Sequence, residues 1–540
     1  MKRYILCTIA LWVRGLMLAL LSVSLVALFT QSAHAQVRFA RTYGGGHQEW
    51  AYFVQQTSDG GYIVAGTTSS FGAGSSDAFL IKTDAYGNVQ WAKTYGGISL
   101  EEFTSVQQTS DGGYIAAGYT DFCGMGLPDI LLIKTDANGN VIWTKVYCGP
   151  FNFGDYANSV QQTSDGGYIL AGITNSYAFI GTRDSAFLIK TDANGNIIWA
   201  KTYHLLYRTW AYSVQQTSDG GYIMAGYTHD SSIVYAFLIK TDANGNLIWA
   251  KIYGGIFNIM DVSNVSQTSD GGYIVAGRIE ATTATMFDVF LIKTDANGNI
   301  QWAKTYGGTN WDGAYSVQQT SDGGYILAGY TNSFGAGGYD PFLIKTDAYG
   351  NVQWAKTYGG TGHDMFFHIQ QTSDGGYIAT GYTYSFGAGS LDIILIKTDA
   401  NGNIGSCGIV RNASPFVNNM IGFDISVYPE VGYLPLIVYS LSPTVTSPTL
   451  SSSQVCVLSF DDNVGISESC KPVSGIIRPY KGGIKVSGSG EFEVKVYNVS
   501  GGVVKSAKGT NEVKLELSRG VYFVEVVSGG KAIREKVVIR

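Results

Sequence analysis

"AYSVQQTSDGGYIMAGYT" (211–228), followed after a short loop by "AFLIKTDANGNLIWAKIY" (236–253), is one complete unit of a pattern that fills most of this chain. It divides into four short stretches. "AYSVQQT" (211–217) is a strand, and "SDGG" is a tight turn whose glycines supply the positive φ angles that such turns demand. "YIMAGYT" (222–228) is almost wholly apolar or small, as a strand buried on both faces is. "AFLIKTD" (236–242) is a third strand. "ANGN" is a second hairpin turn, and "LIWAKIY" (247–253) is a fourth strand with Trp249 at its centre. These strands are named A to D below.

The Asp of the "SDGG" turn recurs at Asp59, Asp111, Asp165, Asp219, Asp270, Asp322 and Asp374, separated by 52, 54, 54, 51, 52 and 52 residues. A period of this length, with four strands and no helical pattern inside it, predicts a β-propeller of seven blades. The ends test that reading. Strand D is complete in six units, at Trp91, Trp143, Trp199, Trp249, Trp302 and Trp354, but the last unit breaks off at "IGSCG" (404–408). A spare copy stands at the start: "VRFARTYGG" (37–45) matches "VQWAKTYGG" (352–360), with Phe39 in the Trp place. The first strand is expected to complete the last blade, as in WD-repeat propellers, and so to remove the open sheet edges.

The bulk properties agree. Gly accounts for 70 of 540 residues, which suits many short strands joined by tight turns. The formal net charge of −6 gives no electrostatic reason to expect nucleic acid as a partner. Residues 1–35 are read as a secretory signal peptide. Lys2, Arg3 and Arg14 precede an apolar run, Ala33-His34-Ala35 has the form of a cleavage site, and the mature chain begins near Gln36. No later stretch is long and apolar enough to span a membrane. Five cysteines follow: Cys123, Cys148, Cys407, Cys456 and Cys470. Cys123 and Cys148 fall in loops of one blade and are the candidate disulfide. No spacing suggests zinc.

Four regions result: signal peptide 1–35, propeller 36–408, a Ser/Thr/Pro-rich linker or irregular β segment 409–470, and a small β-sandwich 471–540. In the last, "VYNVSGGVV" (496–504), "LSRGVYFVEV" (517–526) and "KVVIR" (536–540) resemble the C-terminal sorting domain of type IX secretion cargo. The Pro-Asn-Pro motif that often opens that domain is missing from "GIIRPYKGGIKVSG" (475–488). The resemblance implies export through both membranes, with the outer-membrane secretion machinery as partner and a secreted or cell-surface location. The phrases "QQTSDGGYI" and "WAKTYGG" are similar to repeats of secreted bacterial and archaeal surface proteins, which implies the same location and no reaction. "DANGNxxW" resembles the tryptophan-docking motif of quinoprotein propellers and implies only that its Trp packs between blades. "TSDGGY" resembles the Asp-box of sialidases, which is structural there; the arginine triad of those enzymes is missing.

Function is expected on one face. The A–B and C–D turns barely change between units, whereas the B–C and D–A loops differ in length and chemistry, and variable loops on a rigid scaffold are where binding specificity usually sits. The candidate ligand-binding residues there are Trp50, Trp210, Trp311, His47, Glu49, His363 and Asp364. The last four form a local His–carboxylate cluster if the ring closes; such a set could bind a metal, and surface coincidence is the favoured account of it. Rim acids precede strand A in five units (Glu49, Glu101, Asp155, Asp312, Asp364) and strand C in six (Asp77, Asp129, Asp184, Asp288, Asp340, Asp392). Because they repeat with the scaffold, they are read as caps of their own loops; a calcium-binding rim is the alternative, and no other cofactor is expected. The repeated Lys of "LIKTD" is read as a structural partner for an Asp or a carbonyl. The favoured expectation is a binding or adhesion protein for glycan or protein rather than an enzyme, with the enzyme question left open. A polysaccharide hydrolase using rim carboxylates, and a purely structural surface-layer component, are the alternatives.

Overall fold

The computed structural model describes residues 36–121, 127–149, 154–175, 184–230, 233–254, 260–280, 286–405 and 409–413, and beyond these mainly the strands. The expected signal peptide, Cys123, Cys407 and Cys470 lie outside the described residues. The chain forms two units, one of Met1–Gly405 with Ile409–Asp462, the other of Ser406–Gly408 with Asn463–Arg540.

The first unit is the propeller. Seven sheets each take four strands from the repeat. Blade 4 shows the pattern, with strands Arg208–Gln216, Tyr222–His229, Val234–Thr241 and Leu247–Gly254. Arg38–Gly44 is strand D of blade 7: it pairs antiparallel with Asp392–Thr398, Phe39 opposite Lys397 and Tyr43 opposite Ile393. The ring therefore closes through the two ends of the repeat, as the displaced strand predicts.

Each repeated residue has a mechanical task. In the A–B turn Thr57 N donates to Gly61 O at 2.9 Å, and Gly60 takes a φ of +81°, which only glycine adopts cheaply. Asp59 accepts from Thr57 Oγ1 and Gly61 N, then pairs with the buried Lys82 at 2.8 Å. Lys82 also donates to Thr83 O at 2.8 Å. The A–B turn is thereby tied to the end of strand C, and the same pair recurs in all seven blades.

Blades dock through strand D. The Trp91 ring sits edge-on to Tyr114 of the next blade, centroids 5.8 Å apart, and a Cβ on Gly139 would lie 2.8 Å from it. The Asn-Gly turn must be glycine for this reason as well as for its positive φ. Tyr95 Oη completes the joint by donating to Gly139 O at 2.7 Å. At the seam Phe39 replaces Trp against Tyr62, and Tyr43 Oη donates to Gly87 O.

The glutamine pair of "VQQT" laces the inner strands. The second Gln of each blade accepts, through its Oε1, from the backbone N–H of the "TSD" Ser in the preceding blade; Ser58 to Gln108 is one such bond, at 2.8 Å. The first Gln accepts from the next blade's backbone, as Gln55 does from Gln108 N at 2.6 Å.

The segment read as linker or irregular β structure does more than connect. Val410–Asn412, Phe416–Asn419, Phe423–Val427, Glu430–Tyr433, Ile437–Ser440, Thr444–Thr446 and Ser451–Leu458 each pair with one strand D, in blades 6, 5, 4, 3, 2, 1 and 7. One segment thus runs backwards around the whole ring as a belt and adds a fifth strand to every blade. It covers the row of outer N–H and C=O groups that a strand D edge would otherwise present.

The second unit holds a three-stranded and a four-stranded sheet over residues 476–539, with Ile484, Val486, Val494, Val496 and Val524 buried between them. Among the described residues no helix is long and apolar enough to cross a membrane.

Candidate functional site

Seven A strands line the axis of a propeller, so a column of the repeat becomes a ring around a channel. In every blade the register of strand A against strand B skips the residue three before the first Gln position of the glutamine pair, passing in blade 1 from Ala51 to Phe53. The extra residue is a β-bulge, which turns one side chain away from the regular alternation. All seven bulge residues, Tyr52, Thr104, Asn158, Tyr212, Ser263, Tyr315 and Phe367, line a single axial cavity of about 380 Å³. Glu102 and Asp261, second residues of their strands, complete its wall with Arg278, Tyr227 and Tyr330 from strand B.

The cavity changes character along the axis. Towards the "SDGG" face the channel is lined by repeated Ser, Val and Gln, and Phe53 and His368 stack across its seam at 3.7 Å. Towards the loop face the wall varies around the ring, with Tyr in blades 1, 4 and 6 and other residues at the bulge position elsewhere. Aromatic rings are grouped there: Tyr52 lies 5.3 Å from Phe367, Phe367 5.0 Å from Tyr315, and Tyr212 stacks on Tyr227 at 5.5 Å.

The three charged groups of the wall are unequally placed. Arg278 donates through Nε to Asp261 Oδ2 at 2.8 Å, its Nη2 lies 2.8 Å from the same oxygen, and Nη1 donates to Tyr330 Oη at 3.2 Å. Glu102, in blade 2, keeps some surface towards the cavity, stands opposite Tyr119 in the strand register, and has the phenols of Tyr119 and Tyr52 as its polar surroundings. Burial pushes its carboxyl up to about 7, against the lowering effect of those phenols. Among the described residues no Lys or Arg pairs with it.

The residues singled out by sequence lie around this cavity rather than in it. Trp50 stacks on Tyr382 at 6.1 Å and meets Tyr52 edge-on, so it stands in the wall of the mouth. Trp210, in blade 4, packs 5.0 Å from Tyr227 and donates from Nε1 to Asp184 Oδ2 at 2.6 Å. Trp311 sits on a D–A loop against Phe287 at 5.1 Å. Glu49 is buried and accepts from Gly45 N and Thr68 Oγ1. Asp364 is buried and accepts from Thr383 Oγ1, Ser385 Oγ, Gly360 N and two further N–H groups. His47 and His363 are exposed, and each meets the blade 7 B–C loop at a different end: His47 O accepts from Ser390 Oγ, and His363 O from Tyr384 N. Among the described residues no three His, Cys, Asp or Glu side chains converge on a metal position.

Three rim acids cap their own loops, whereas Asp184 is held by Trp210 and Arg208 of the next blade. Asp77 accepts from Ala73 N and Gly74 N, Asp340 from Ala336 N and Gly337 N, and Asp392 from Gly389 N. Cys148 is disulfide-bonded to a partner outside the residues whose side chains are described. The signal in the sequence was weak: aligned, the seven A strands largely keep their Val-Gln-Gln end but vary at the bulge position and at the position two before it.

Residues 478–540 match the model of the secretion system C-terminal sorting domain. The type IX sorting tail expected from the sequence is borne out, and with it export and a secreted or cell-surface location. Two solved structures of Sqt1 from Chaetomium thermophilum are similar to the chain, at TM-scores of 0.39 and 0.38 and identities of 7% and 9%. Each match covers 66% of this chain, and 98% and 97% of the respective structures. A comparison with curated proteins found no match.

Proposed function

We propose that this protein is an exported binding protein that takes the end of a saccharide into the axial cavity of its loop face. The observation that supports the reading is the ring of bulge residues. Turn and docking positions repeat from blade to blade, yet the column that lines the cavity in all seven blades holds Tyr, Thr, Asn, Tyr, Ser, Tyr and Phe. A volume of about 380 Å³ suits one or two sugar rings. Aromatic faces with a few convergent polar groups are what such a ligand needs: stacking for the ring, and Glu102, Asn158 and Asp261 for hydroxyl groups. Trp50 and Trp210 extend the surface at the mouth.

Binding is favoured over hydrolysis by the state of the two carboxyls. Glycoside hydrolysis ordinarily uses a proton donor and a second, available carboxylate. Asp261 is held by Arg278, Asp77 and Asp340 by their own loops, and Asp184 by Trp210 and Arg208. A saccharide array probed with the full exported chain tests the proposal. Binding that disappears in Tyr52→Ala and Phe367→Ala, with thermal unfolding and secretion retained, is the expected result. A blank array, or binding indifferent to both substitutions, would overturn it.

A further inference from the structure

We infer that the cavity selects a ligand carrying an ammonium group, which docks against Glu102 between the rings of Tyr52 and Tyr119. The inference rests on the saccharide reading for the place, but on separate observations for the chemistry. Of the three charged groups in the wall, Asp261 and Arg278 neutralise one another at 2.8 Å. Glu102 has only phenol partners, and it stands in blade 2 whereas the ion pair is in blade 5. Once ionised it is the single uncompensated charge facing the cavity.

The surroundings suit a cation. A buried carboxylate is costly unless paired, and a bound ammonium would supply the missing pair. Aromatic rings present negative faces, and an amine at Glu102 would lie among them. Tyr119, opposite Glu102 in the strand register, is itself braced by Tyr156, centroids 5.1 Å apart. The raised titration of Glu102 is the expected mark of a carboxyl waiting for such a partner. The same geometry disfavours an anionic ligand, since Arg278, the only cation in the wall, already has Asp261 and Tyr330.

An ammonium of this kind could belong to a de-N-acetylated amino sugar or to a lysine side chain, and the test separates them. The full chain is titrated at pH 7 with glucosamine oligomers, with their N-acetylated counterparts and with a short lysyl peptide. Wild type and Glu102→Gln are compared, with Tyr119→Phe as a second variant that keeps the ring. The expected result is at least about ten-fold tighter binding of the free-amine oligomer than of its acetylated counterpart, a difference lost in Glu102→Gln and reduced in Tyr119→Phe. Equal binding of both oligomers, untouched by Glu102→Gln, would overturn this inference while leaving the saccharide reading intact. Binding of the lysyl peptide alone, with the same dependence on Glu102, would uphold the ammonium site and overturn the saccharide reading. No binding of any probe would overturn both.

Discussion

The backbone N–H of Ser373 donates to Gln56 Oε1 at 2.8 Å, across 317 positions of sequence. Gln56 N in turn donates to Gln370 Oε1 at 2.6 Å. These bonds join the last blade to the first and repeat the lacing of the other joints, complete except between blades 5 and 6. Gln56→Ala removes the acceptor and leaves Ser373 N without it. A loss of about 1–3 kcal/mol in unfolding free energy is expected from denaturant titration, similar to the loss from Gln108→Ala at an internal joint. A much larger loss at Gln56 would mean that the seam is held less well than the other joints.

One stitch of the girdle is missing. Position 266 is Ser where the other blades have Gln, and Ser266 Oγ is instead directed to Gln267 O at 3.5 Å. Ser266→Gln would place an acceptor towards Gln319 N, as Gln215 does for Gln267 N at 2.6 Å. It is expected to raise stability by about 0.5–1.5 kcal/mol, read as a higher denaturation midpoint at unchanged slope.

Glu102 should weaken the fold in a defined pH window. Its carboxyl titrates near 7 in the folded protein against an ordinary 4.5, so the folded state holds its proton more tightly than the unfolded chain does. Stability contributed by that proton is complete below 4.5 and is lost as pH rises to about 7. Glu102→Gln avoids the loss. The variant should match wild type at pH 4 and exceed it by about 1–3 kcal/mol at pH 8. A variant less stable than wild type at pH 8 would show that the carboxylate has a structural partner.

The belt should matter to solubility as much as to stability. A chain ending at Asp462 keeps all seven fifth strands, whereas one ending at Gly405 leaves seven outer edges unpaired. The first is expected to remain monomeric on gel filtration and the second to associate. Equal behaviour would make the belt dispensable.

The repeat made the blades legible because each of its words does the same work seven times: the Gly in "SDGG" and "NGN" sets turns, the Trp docks blades, and the Lys holds the Asp. The displaced strand at Arg38–Gly44 disclosed closure in the same way. The belt was not legible by that route. Its strands share no wording, since each meets a different strand D, and they are only three to eight residues long. Their one regularity is spacing: they begin at 410, 416, 423, 430, 437, 444 and 451, six or seven residues apart, one step per blade. The cavity was hidden for a different reason. The bulge residue varies from blade to blade, and so does the residue two before it, so neither column carries a repeated word that marks the cavity wall. Attention to the variable loops found Trp50 and Trp210 at the mouth but passed over Tyr52, Tyr212, Tyr315 and Glu102 inside it.

The central claim is that ligand enters the axial cavity and is not held by the loops outside it. Calorimetric titration of an array-derived saccharide into wild type, Tyr315→Ala and Trp311→Ala tests it most directly, because Tyr315 lines the cavity and Trp311 stands four positions away on the D–A loop. The account predicts binding at least about ten-fold weaker in Tyr315→Ala and unchanged in Trp311→Ala, with both variants unfolding as cooperatively as wild type. Loss of binding in Trp311→Ala with Tyr315→Ala unaffected would contradict it and return the site to the loops.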